Sequence, residues 1–160
     1  MEYMHTNPKL HIQSTSLEQS LAIGEQIGRQ VRPGQLIELV GDLGGGKTTL
    51  TKGIAKGLGI TKTITSPTFS IQRSYELLGG ASFEHFDLYR LEGEDAVKQE
   101  IAEYLDDPTV ITVVEWAKPF IAALKPDRLV VDMHWTGDTT RDITLSATGR
   151  ESARILDALR

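Results

Sequence analysis

The segment Gly41-Asp-Leu-Gly-Gly-Gly-Lys47-Thr48 constrains this chain more than any other stretch. It matches G-x-x-x-x-G-K-[ST]. Ahead of it, Gln35-Leu-Ile-Glu-Leu-Val40 is short, mostly apolar and partly β-branched, which predicts a buried strand. Behind it, Lys47 to Leu58 predicts a helix with Leu50, Ile54 and Leu58 on one face, and Gly59 is placed to end it. Strand, glycine-rich turn and helix in that order form a phosphate cradle. The glycines let backbone N–H groups crowd around phosphate oxygens without side-chain collisions, and the helix points its positive end at the same place. Lys47 can reach the β- and γ-phosphates as a point charge, and the Thr48 hydroxyl suits Mg²⁺. Asp42, Leu43, Gly44, Gly45, Gly46, Lys47, Thr48 and Thr49 are therefore the expected nucleotide-binding residues.

The remaining chain alternates strands, helices and hairpins. Lys9 to Gln13 reads as a strand. Thr15-Ser-Leu-Glu18 and Ser16-Leu-Glu-Gln19 both match a capping box, and Leu17, Leu21, Gly24, Ile27 and Val31 follow at helical spacing up to Pro33-Gly34. Thr68 to Leu78 and Ser82 to Tyr89 alternate like strands around a Gly79-Gly80 turn. Glu94 to Leu105 predicts a helix with Val97, Ile101, Tyr104 and Leu105 inward, and Val110 to Val114 a second buried strand. Arg128 to Trp135 and Arg141 to Ser146 predict a second hairpin, and Arg150 to Leu159 a terminal helix. The fold class expected is an α/β, P-loop NTPase-like sandwich, with a mixed parallel and antiparallel sheet flanked by helices. One domain accounts for the 160 residues, with residues 1–8 read as a tail.

A phosphate-binding loop needs an acidic group for the metal, and strand ends supply two. Glu115 directly follows Val110–Val114, and Asp87 closes Phe83-Glu-His-Phe-Asp87. Carboxylates at the C-terminal ends of strands face the crevice where nucleotides sit in open α/β sheets. Taken alone, Glu115 could be a solvated strand end and Asp87 could bond its own turn. His85 shares a strand face with Asp87 and reads as a structural histidine, while Trp116 reads as core. Ser66-Pro67-Thr68 is a turn initiator, and it could also place a hydroxyl opposite the loop to sense phosphate and metal.

Four blocks, Gly41–Thr49, Ser66-Pro-Thr-Phe69, His85-Phe-Asp-Leu-Tyr-Arg90 and Val113-Val-Glu-Trp116, occur in this order over roughly residues 15 to 146. Together they closely resemble the bacterial TsaE (YjeE) family of small P-loop ATPases, which serve threonylcarbamoyladenosine modification of tRNA. Gly45 stands where the family usually has alanine. The resemblance implies that Lys47 and Thr48 hold phosphate and magnesium. It also implies that Asp87 and Glu115 are essential acidic residues, serving catalysis and the metal, and that Thr68 is a switch-like catalytic threonine. It implies ATP or ADP and Mg²⁺ as ligands, and a TsaB–TsaD heterodimer as partner. In that family TsaD is the transferase, and the TsaE-like ATPase keeps it turning over, reaching tRNA only through the complex.

Composition narrows the alternatives. With no cysteine, disulfides, thiolate catalysis and cysteine-ligated zinc are excluded. A net charge of −5 argues against a protein that grips DNA or RNA unaided. No apolar run approaches the roughly 20 residues of a membrane span, so a cytoplasmic protein without a membrane partner is expected. The competing reading is a small-molecule or nucleotide kinase. Such enzymes close an arginine-rich lid over two substrates, and between Ile60 and Leu105 the arginines are Arg73 and Arg90.

Overall fold

The computed structural model describes residues 7–42, 44, 46–64 and 71–160. In chain order the elements are β1 (Lys9–Ser14), α1 (Leu17–Gln30), β2 (Leu36–Gly41), α2 (Lys47–Gly57), β3 (Gln72–Glu76), β4 (Ser82–Asp87), α3 (Asp95–Asp106), β5 (Val110–Glu115), β6 (Leu129–Trp135), β7 (Arg141–Ala147) and α4 (Arg150–Ala158). The strands form a seven-stranded sheet in the order β1-β7-β6-β2-β5-β4-β3. The centre is parallel, with β2 between β5 and β6 and β4 beyond β5. Antiparallel pairs flank it, β3 on β4 and β6–β7–β1 on the other side. This is the mixed α/β sheet that the sequence predicts. Ala147 donates its N–H to the Pro8 carbonyl at 3.0 Å, so Pro8 is tied to the sheet just ahead of β1.

Each strand buries alternate residues on opposite faces, which divides the core in two. One face carries Phe83, Ile37, Leu39, Ile111, Val113, Val131, Met133, Ile143 and Leu145, covered by Ile27 of α1, Leu50 and Ile54 of α2 and Ile155 of α4. The other carries Leu36, Phe86 and Val114, covered by Ile101 and Leu105 of α3 and by Phe120 of a 3₁₀ turn over Lys118–Ala123. The period of two then assigns the strand ends. His85, Asp87, Glu115, Gly41, Trp135 and Arg141 all belong to the face that α1 and α2 cover.

Ser16 caps α1, its hydroxyl accepting the Gln19 N–H at 3.1 Å, while the Gln19 side-chain oxygen accepts the Thr15 N–H at 2.7 Å. Of the two overlapping patterns the one from Ser16 sets the start of α1, and Thr15 is bonded by Gln19. Helices α1 and α2 meet backbone to backbone. A Cβ on Gly24 or Gly28 would strike the backbone of Leu50 or Ile54, and one on Gly53 or Gly57 that of Leu21 or Glu25. This close approach fixes α2 against α1.

Candidate functional site

Strand β2 delivers the chain to the turn at Gly41, where φ is +131° and a Cβ would collide with the Met133 carbonyl. Only glycine fits both demands. The chain re-enters a helix at Gly46, a left-handed residue with φ 96° that supplies no side-chain cap to α2. A helix that opens on a glycine has no side-chain cap at that residue, and an anion suits such a helix N-terminus. Lys47 and Thr48 open that helix. Leu43 and Gly45, and the Ser66-Pro67-Thr68 segment, lie outside the described residues.

Lys47 is buried, with 6% of its surface exposed. Its ammonium donates to the backbone carbonyls of Asp42 at 2.6 Å and Gly41 at 3.2 Å, and sits 4.5 Å from the centre of the Trp116 ring. Burial pushes its pKa down, and the charges of Glu115, Asp42 and Asp87 oppose that shift. The lysine thus lies on the loop's own carbonyls, in position to exchange them for phosphate oxygens.

Asp87 and Glu115 are register partners on β4 and β5, so their carboxylates stand side by side on one face. Glu115 is 3% exposed, and its Oε2 lies 2.9 Å from Nε2 of the fully buried His85. Among the described residues, Nδ1 of His85 has no hydrogen-bond partner. Asp87 is half-buried and accepts the Tyr89 N–H at 3.1 Å, so it does bond its own turn as well. Its carboxyl is pushed above the usual aspartate range, first by burial and then by the charge of Glu115; the Tyr89 N–H, His85 and Lys47 pull the other way. The carboxylates of Asp87 and Glu115 and the hydroxyl of Thr48 are hard oxygen donors, the kind that could hold a small divalent cation. Among the described residues no group of three or more His, Cys, Asp or Glu side chains could hold a metal ion.

Trp116 departs from a purely core role. It is half-buried and packs on the second core, yet its backbone is left-handed at φ 58°, which is rare for a bulky residue. That turn sets its ring under Lys47 and 5.0 Å from the ring of Tyr89. The sequence reads His85 as a structural histidine, and in the fold its Nε2 meets the site carboxylate Glu115. Spacing in the sequence could not show either contact, because both depend on how separate strands are registered.

A family model described as threonylcarbamoyl adenosine biosynthesis protein TsaE matches residues 14–143, which takes in the loop, both carboxylates and Trp116. The chain belongs to the TsaE family. A TsaE of Bacillus subtilis strain 168, named a tRNA threonylcarbamoyladenosine biosynthesis protein, is 38% identical over 142 residues, covering 89% of this chain and 88% of that protein. A TsaE of Streptomyces coelicolor is 36% identical over 138 residues, 82% of this chain and 92% of that protein. The crystal structure of Bacillus subtilis YdiB superimposes with a TM-score of 0.82 at 33% identity, covering 97% of this chain and 96% of that one. The resemblance drawn from the four sequence blocks is thus met across nearly the whole chain. TsaE proteins are nucleotide-binding P-loop proteins, in keeping with the glycine that leads into α2 and with its lysine. No helix among the described residues is long and apolar enough to cross a membrane.

Proposed function

We propose that this TsaE binds ATP with Mg²⁺ between β2 and α2 and hydrolyses it, in the cytoplasm, to support threonylcarbamoyl transfer to tRNA adenosine by a TsaB–TsaD heterodimer. One observation carries the reading. Lys47, Asp87 and Glu115 come from three separate elements and converge at the start of α2.

In this reading the α2 N–H groups and Lys47 hold the phosphates, and Lys47 releases the Gly41 and Asp42 carbonyls to do so. Thr48, Asp87 and Glu115 are the residues that would hold Mg²⁺. When bound, Mg²⁺ supplies charge neutralisation on the phosphates. His85 fixes the Glu115 carboxylate, which orients the attacking water. The water oxygen bonds to the γ-phosphorus, the bond to ADP breaks, and the water's protons pass to the products and solvent. Thr68 joins this group on the strength of the sequence resemblance.

The separating experiment incubates the protein with radiolabelled ATP, a TsaB–TsaD heterodimer and tRNA. Label released as inorganic phosphate, with modified adenosine accumulating over several turnovers, is the expected result. Label transferred to an acceptor molecule would favour the kinase reading instead.

A further inference from the structure

Strand β6 ends against the phosphate turn, and its last two residues belong to opposite faces of the sheet. Trp135, on the face shared with α2, donates its Nε1–H to the Gly44 carbonyl at 3.0 Å. Its register partner Arg141 brings Nε to 3.7 Å from the position of a Gly46 Cβ. His134 lies on the other face. Its Nδ1 stands 3.5 Å from Oδ2 of Asp42, the residue that follows β2. Its Nε2 stands 2.9 Å from Oδ1 of Asp132, two residues back on the same strand.

The imidazole thus bridges two carboxylates. Its register partner on β7 is a third acid, Asp142, and on β2 the residues opposite Asp132 and Met133 are Val40 and Gly41, which do not titrate. The Asp132 carboxylate, by contact and by charge, and then Asp42 raise the His134 pKa above the usual imidazole value, with burial opposing. Asp42 is where this charge counts. Its backbone carbonyl accepts the Lys47 ammonium at 2.6 Å, and its carboxylate charge is felt at that ammonium. A carboxylate at the entry to a phosphate-binding turn repels the anion that the turn is shaped to hold, and a cation set on it offsets the repulsion.

We propose that His134 is a positioning residue for the phosphate turn: as a cation it holds the Asp42 carboxylate on the sheet face away from α2 and neutralises it, which strengthens nucleotide binding. The inference rests on the reading of this turn as the ATP cradle and adds a pH dependence to it. The imidazolium is present at low pH and is lost as pH rises through its raised pKa, so its contribution to ATP affinity fades in that direction. Both side chains of the pair are more than half exposed, which limits the effect to that of a surface ion pair.

The test is calorimetric titration with magnesium and ATP at about pH 6 and about pH 9, on the parent, His134→Gln, His134→Lys, Asp42→Asn and the double variant Asp42→Asn/His134→Gln. Ratios of parent to variant at one pH cancel the titration of the nucleotide and of Lys47. His134→Gln should bind ATP about two- to fivefold more weakly than the parent at the lower pH and equally at the higher one. His134→Lys, which stays charged, should match the parent at the lower pH and exceed it at the higher. In the Asp42→Asn background, His134→Gln should change nothing. Parent-like affinity of His134→Gln at the lower pH would overturn the proposal. So would an equal loss at both pH values, or a loss that persists without the Asp42 carboxylate, because the ring would then only pack. A parent that bound no ATP at either pH would remove the cradle reading itself, and this role with it.

Discussion

Nε2 of His85 and Oε2 of Glu115 lie 2.9 Å apart with both side chains buried. The two residues are 30 positions apart in the chain and meet because β4 and β5 pair in parallel, with His85 opposite Val113 and Asp87 opposite Glu115. Removing the imidazole strands a buried carboxylate. His85→Ala is expected to cost about 2 kcal/mol in denaturant unfolding and to lower ATP hydrolysis. His85→Gln, which keeps an N–H donor, should recover part of both. Parent-like stability and turnover in His85→Ala would show that the contact positions nothing.

The carboxylate pair should act on chemistry more than on binding. Glu115→Gln and Asp87→Asn remove charge beside the transferred phosphate and leave the α2 N–H groups and Lys47 intact. Single-turnover hydrolysis with the partner proteins present should fall in both, while calorimetric ATP affinity changes much less. Full activity in both variants would contradict the assignment.

Lys47 should behave in the opposite way. Its ammonium is already desolvated by its place in the loop and against Trp116. A charge-assisted contact to phosphate is worth about 1.5–3 kcal/mol, so Lys47→Ala should weaken ATP binding about tenfold to a hundredfold. Calorimetry that finds parent-like affinity would refute the phosphate cradle.

Stability at low pH should depend on Asp127, at the far end of the molecule. Its Oδ1 accepts the Ser152 N–H at 3.0 Å and the Ser152 hydroxyl at 2.6 Å, and Oδ2 accepts the Glu151 N–H at 2.7 Å, so it caps α4 from outside the helix. Burial alone would raise its carboxyl, but these hydrogen bonds and the charge of Lys125 outweigh it and hold the pKa below the usual 3.8. A carboxylate with a depressed folded-state pKa contributes stability above its unfolded value and loses it as pH falls through the folded one. Asp127→Ala should cost about 1–2 kcal/mol near neutral pH, by denaturant unfolding. The gap from the parent should shrink as pH drops below about 4. A gap that stayed constant down to pH 2 would rule out the charged cap.

The sequence reveals most of what is local. The strand that ends at Gly41, the helix that starts at Lys47, the capped start of α1 at Ser16 and both hairpins follow from short-range spacing, and each appears where expected. Placing Glu115 and Asp87 at strand ends needs only the period of two. Their adjacency, the His85 contact and the approach of Trp135 and Arg141 to the loop depend on the register between strands far apart in the chain. Nothing in Lys125-Pro126-Asp127 or Gly149-Arg150-Glu151 shows that Asp127 caps α4. The left-handed turn at Trp116 is equally silent in sequence, because a tryptophan there breaks the usual backbone preference.

In the proposed reaction this TsaE-family protein supplies a cradle, a lysine and carboxylates, and its partners complete the hydrolytic site. Phosphoryl transfer rests on positioning and charge neutralisation, and a cation supplied in trans raises P-loop hydrolysis by about 10³–10⁵ in well-studied cases. ATP turnover should be measured for the protein alone, with TsaB, with TsaD, and with the heterodimer. Slow turnover alone and a marked rise with the heterodimer are expected. Fast turnover alone that the heterodimer leaves unchanged would contradict the proposed reaction.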